Sequence, residues 1–289
     1  MLEFIMGGSV DLNVPLSGPG PKTLVAGNKR NGWFGVIDTQ TMMPLATLIN
    51  KLGDPGWTRY SNPNNIPFRW LKAMLGGKPV FVANQPVYVP RWIDVYNAGM
   101  MLGIDPQPYV PEGYSSAYQS TVIDYTDSDG VTWYFKVRTI RGADDYITTG
   151  NVEDIQQAES TILYNKITGD DRQIDGGRGW DNLKPNVDYA GGLWMTSSLD
   201  VLLTRYLCRY PDAAALALFS TNVTYSNNWV PVLEVINPDD ELIPTLSVTA
   251  QFERVIPVSP SVHSDLALLT TTSLFQLDQD ELPPAMQLP

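Results

Sequence analysis

STVIDYTDSDGVTWYFKVRTI (Ser120–Ile140) is the most decisive stretch of the chain. Two runs rich in Val, Ile, Thr, Tyr, Phe and Trp flank the pair Asp129-Gly130. β-branched and aromatic residues suit a pleated, half-buried surface, and Asp-Gly supplies the positive φ of a tight reversal, so the stretch predicts a β-hairpin. The nearby carboxylates Asp124, Asp127 and Asp129 resemble a calcium loop in type. They lack a twelfth-position glutamate, and a hairpin turn accounts for them without a metal.

Working outward, helix and strand signals alternate with turns. PLATLINKLG (Pro44–Gly53) places Leu45, Leu48, Ile49 and Leu52 at i, i+3, i+4 and i+7, with Pro at the start and Gly at the end, which predicts a helix. By the same spacing, IPFRWLKAMLGG (Ile66–Gly77), WIDVYNAGMMLG (Trp92–Gly103), VEDIQQAESTILYNKI (Val152–Ile167) and SSLDVLLTRYLCRYP (Ser197–Pro211) read as helices. KPVFVANQPVYVP (Lys78–Pro90) reads as two short strands. AALALFS (Ala214–Ser220) and NWVPVLEVINP (Asn228–Pro238) read as buried strands, the second at an edge or bulge because of Pro231. The fold class is therefore α+β, with a mixed or antiparallel sheet and short helices.

Three regions follow. Residues 1–31, rich in Gly and Pro, predict an extended N-terminal arm. Residues 32–237 form the globular body, with a sub-boundary near 104 left open. Residues 238–289 are acidic and broken by proline, yet carry the apolar islands TLSVTAQF, LALLTTTSLF and LPPAMQLP. A simple disordered tail would be poorer in apolar residues, so this stretch reads as an arm that orders on another surface.

Composition excludes several function classes. A net charge of −12 opposes binding to nucleic acid through a broad basic face. No run approaches the roughly 20 apolar residues of a membrane span. The start, MLEFIMGGSV, lacks the basic residues and long apolar run of a secretion signal, so synthesis in a cytoplasm is expected. One cysteine, Cys208, and one histidine, His263, leave no disulfide framework and no Cys/His zinc site. Nucleotide-binding glycine loops and the G-x-S-x-G elbow are absent. No catalytic residue, metal ligand or cofactor is expected. Cys208 reads as a small core residue.

Some side chains admit sharper readings. Trp180, inside the glycine-rich stretch Gly169–Gly192, and Trp194, just after it, are candidates for stacking on sugars, with packed aromatics as the alternative. Trp133 and Tyr134 are adjacent on a strand and face opposite sides. Arg138 and Arg141, with Asp144, read as an ion network, buried or at an interface, with two surface arginines as the alternative. The doublets Asp144-Asp145, Asp170-Asp171 and Asp239-Asp240 read as solvated loop acids rather than a glycosidase pair.

Several segments, taken in order, carry a family likeness. They include Trp70, Gly77-Lys78, Val80-Phe81-Val82-Ala83, Trp92, Asp94, Tyr96-Asn97-Ala98-Gly99, Lys136-Val137-Arg138, Arg141-Gly142-Ala143, and Trp229 with Pro231-Val232-Leu233-Glu234. Across residues 32–237 this series resembles a group of tailed-phage virion proteins. The resemblance implies a structural or appendage protein of the particle: capsid decoration, connector, tail or fibre. It implies partners among copies of itself and other virion proteins. The closing W-x-P-V-L strand is also similar to that of C-type-lectin-like folds, which implies a host-surface glycan as an alternative ligand. A polysaccharide-cleaving virion enzyme is a second alternative.

Overall fold

The computed structural model describes residues 12–62, 65, 67–104, 109–143, 146–148, 157–168, 194–200, 202–209 and 219–236. All lie in the first of two units, Met1–Asp240, the second being Glu241–Pro289. The acidic stretch 238–289, Trp180 and the three aspartate doublets lie outside the described residues.

The hairpin at the centre of the sequence forms as expected. Strands β5 (Val122–Thr126) and β6 (Thr132–Thr139) pair antiparallel. Asp127 Oδ1 accepts the amides of Asp129 and Val131, each at 3.0 Å, and Gly130 has φ +78°. The aspartate here closes a turn. Asp124 instead pairs with Lys51 at 2.7 Å.

Around this hairpin lies a seven-stranded antiparallel sheet. Its other strands are β1 (Ala26–Gly27), β2 (Gly32–Ile37), β3 (Trp70–Leu75), β4 (Lys78–Ala83) and β11 (Pro231–Ile236). The order is β1-β2-β3-β4-β11-β6-β5. A second sheet, in the order β10-β9-β8-β7, contains β7 (Ile147–Thr148), β8 (Trp194–Asp200), β9 (Arg205–Arg209) and β10 (Phe219–Asn222). There β7 runs parallel to β8 and the other pairs are antiparallel. Strands from both sides of residue 104 share the seven-stranded sheet, so no domain boundary falls there. Among the described residues, three short helices accompany the sheets: α1 (Leu45–Lys51), α2 (Trp92–Asn97) and α3 (Glu159–Thr168).

Two segments with helical spacing are strands. Every residue of β3 is buried. A strand covered on both faces loses its alternation and reads as a continuous apolar run, which helical spacing fits equally well. Gly76 (φ +61°) and Gly77 (φ +87°) then form a two-residue turn, and Leu75 pairs with Lys78. Positive φ at both positions is what such a hairpin demands. Ser197–Pro211 likewise divides between β8 and β9. Leu203 turns at φ +56°, and Asp200 Oδ1 accepts the amides of Thr204 and Arg205, each at 3.2 Å. Pro231 stands not at an edge but at the first position of β11, a central strand between β4 and β6. The first position tolerates a residue without an N–H.

Residues 12–31, expected as an extended arm, fold onto the body from Leu12 onward. Asn13 bridges to Thr23, Val14 donates to Lys22 O at 2.7 Å, and Leu24 donates to Leu12 O at 3.0 Å. Their tip, Ser17–Pro21, lies on the large sheet. A Cβ on Gly18 would meet Phe81 at 2.7 Å and Val235 at 2.9 Å, so only glycine fits that approach.

The second sheet is joined to the first through β8. Trp92 Nε1 donates to Thr196 O at 2.9 Å, Tyr109 Oη to Ser197 O at 2.8 Å, and the Ser197 amide to Ile140 O at 3.0 Å. One core of buried residues runs through both sheets, from Trp33 to Leu233.

Candidate functional site

Arg138 and Arg141 come together, while Asp144 lies outside the described residues. Arg138, on β6, is buried, with 4% of its side chain exposed. Its Nη1 and Nη2 grip Glu159, the first residue of α3, at 2.6 and 2.9 Å, and its Nε donates to Glu234 of β11 at 2.8 Å. Arg141 adds its backbone amide to Glu159 Oε2 at 3.2 Å and its Nη2 to Oε1 at 3.4 Å. Lys78, at the start of β4, reaches Glu234 Oε1 at 2.5 Å. The planar guanidinium fork matches a carboxylate with two parallel bonds, which is why arginine occupies the centre.

Burial opposes the charge on both glutamates, but the cations outweigh it. Arg138 and Arg141 hold the Glu159 carboxyl below the usual glutamate range, and Arg138 and Lys78 do the same for Glu234. Burial likewise opposes the charge on Arg138, and the two carboxylates more than offset it. A cavity of about 120 Å³ adjoins the cluster, bordered by Gly76, Leu102 and Tyr146. Both carboxylates are taken up by these ion pairs. What the cluster does is tie α3 and the segment after β6 to the centre of the sheet.

A second feature is open to solvent. An apolar groove of about 380 Å³ lies where β6 begins and β11 ends, lined by Leu16, Val131, Trp133, Tyr134, Val235 and Ile236 among others. Leu16 is 67% exposed and Val131 45%. Trp133 and Tyr134, expected on opposite faces, are both half-buried and both line the groove. The Trp133 indole donates to Asp127 Oδ2 at 2.7 Å, and the Lys22 ammonium sits 4.2 Å from the ring centroid.

Compared with models of known protein families, with curated proteins and with solved structures, the chain matches none.

Trp194 is 2% exposed on β8 and meets Tyr164 edge-on at 5.5 Å, so its ring packs in the core and offers no face to a sugar. Cys208 is buried on β9 rather than in a helix, and burial pushes its thiol up to about 12. Among the described residues, no group of three or more His, Cys, Asp or Glu is placed to hold a metal ion. Among the same residues, no helix is long and apolar enough to cross a membrane.

Sequence reasoning missed Glu159 and Glu234 as partners of the arginines. Glu234 carried a usable signal, being a lone acid in the apolar run PVLEVI. A charge in a buried strand must find a partner. Lys72 in WLKAML carries the same signal.

Proposed function

We propose that this chain is a structural protein of a tailed-phage particle that makes subunit–subunit contacts. The observation that carries the reading is the apolar groove where β6 begins and β11 ends, rimmed by Leu16 and Val131. Exposed apolar surface of this kind is characteristic of protein–protein contact. The ordered segments resembling virion proteins, from Trp70 to Glu234, support the same reading. The buried ion cluster supports it too, since its carboxylates are committed to holding the body together. In this reading the core is of the C-type-lectin-like kind, and the groove takes a second copy of the chain. The proline-broken apolar islands of residues 238–289 add contacts to neighbouring subunits.

Light scattering of full-length protein over a concentration range tests this. Wild type is expected to exceed the 32.0 kDa of one chain. Val131→Asp, which places a charge on the groove rim, is expected to stay monomeric with its thermal midpoint unchanged. A wild-type protein that remains one chain at every concentration, or a Val131→Asp variant that assembles as wild type does, overturns the groove as the contact.

A further inference from the structure

Lys72 is fully buried at the centre of β3. Its ammonium donates to the carbonyls of Gly18, Pro19 and Pro21 at 3.2, 2.8 and 2.6 Å. All three acceptors belong to the tip of the hairpin formed by residues 12–24. We propose that this hairpin is an opening strap over the large sheet, that the charge on the buried Lys72 beneath its tip favours opening, and that opening extends the apolar groove onto the sheet face beneath.

Three features of the strap's seat favour opening. First, a desolvated ammonium is costly even when hydrogen-bonded, and opening returns it to water. Second, the Ser17 hydroxyl is buried with no hydrogen-bond partner among the described residues, a cost that opening also relieves. Third, the strap's apolar anchors form a cluster separate from the main core: Leu24, with Leu12 and Val14, against Phe34 and Met74. Segments with few buried apolar contacts open below the global unfolding free energy. Leu16 of the strap lines the groove, and Gly18 covers Phe81 and Val235. Lifting the strap therefore joins the groove to the surface it covers.

The strap responds to pH. The strap presents the three carbonyls and the Lys22 ammonium to Lys72. Strands β2 and β4 present only rings, Phe34 at 4.7 Å and Phe81 at 5.4 Å. Asp127 and Asp129 of the β5–β6 turn bear on Lys22. Burial, and then Lys22, lower the Lys72 pKa to about 7 in the closed form. In the open form the side chain returns to roughly 10.4. Between these values the closed form binds fewer protons, so raising the pH favours closure. Well below pH 7 both forms are charged and the strap is at its loosest.

Hydrogen exchange of the full chain, corrected for intrinsic rates, tests the strap through the amides of Val14, Ser17 and Leu24. These are expected to exchange faster than the amides of β3 and β4. Their protection should rise by up to roughly 50-fold between pH 7 and pH 9. Lys72→Met should remove that rise. If the variant does not fold, the wild-type comparison decides alone. Strap amides that exchange together with β3 and β4, or wild-type protection that does not change with pH, overturn the proposal.

Discussion

Replacing Arg138 with methionine is expected to cost about 3–5 kcal/mol of folding stability, read as a fall in the denaturation midpoint at pH 7. The cost comes less from the bonds lost than from what stays behind. Glu159 and Glu234 are buried, and Arg138 supplies the closest charge to Glu159 and one of two to Glu234. Without it, among the described residues, Glu159 keeps the Arg141 amide at 3.2 Å and its longer guanidinium contact at 3.4 Å, and Glu234 keeps Lys78, which is half exposed. The pH profile should change sign as well. In wild type the two carboxyls sit below their unfolded values. Their contribution is therefore complete above roughly pH 4.5 and is lost as the pH falls through the folded values. In Arg138→Met, burial prevails and raises both carboxyls, so stability should increase as the pH falls from 7 toward 5. A loss below about 1 kcal/mol with the wild-type pH profile would show that the cluster is not the clamp on α3. Adding Glu159→Gln and Glu234→Gln to Arg138→Met should recover part of the loss, because those variants carry no uncompensated charge.

How much was legible in the sequence depended on whether a segment's burial was one-sided. The β5–β6 hairpin, α1 and α2 were readable because local chemistry decides them: Asp-Gly turn geometry in the first, and apolar spacing with a terminal Gly in α1. Strands β3, β8 and β9 were not. Trp70–Leu75 is buried at every position and Trp194–Leu199 likewise, so the alternation that distinguishes strand from helix is missing. The Gly76-Gly77 pair was the overlooked cue, since two glycines between two apolar runs favour a hairpin over a helix end. The ion cluster was half legible. The two arginines four residues or fewer apart were visible, but their partner Glu159 arrives from a helix 21 residues beyond Arg138, a pairing that only the tertiary fold creates. The N-terminal segment was misread for a related reason. Pro and Gly density excludes a helix but does not tell an arm in solvent from a loop pinned by a buried lysine 50 or more residues away.

Trp92→Ala is expected to lower stability by about 3–5 kcal/mol, and to do so for the whole body rather than for α2 alone. Trp92 is fully buried at the start of α2, stacked on Tyr96 at 5.6 Å and tilted against Tyr206 of β9 at 6.3 Å. Its indole N–H is bonded to Thr196 O of β8. One side chain therefore touches the helix and both central strands of the second sheet. Truncation leaves a cavity between them that surrounding tyrosines cannot fill without giving up their own packing. Trp92→Phe keeps most of the ring and loses the hydrogen bond, so its cost should be smaller, about 1–3 kcal/mol. Gly142 sets how far the structure can relax. A Cβ there would lie 2.2 Å from Thr196 Oγ1, so β8 is already pressed against the segment after β6. Hydrogen exchange distinguishes the two ways the body can be built. If the sheets fold as one unit, Trp92→Ala lowers the protection of β4 and β11 as much as that of β8 and β9. If only β8 and β9 lose protection while the first sheet keeps its own, the sheets are separate cooperative units and the shared core does not couple them.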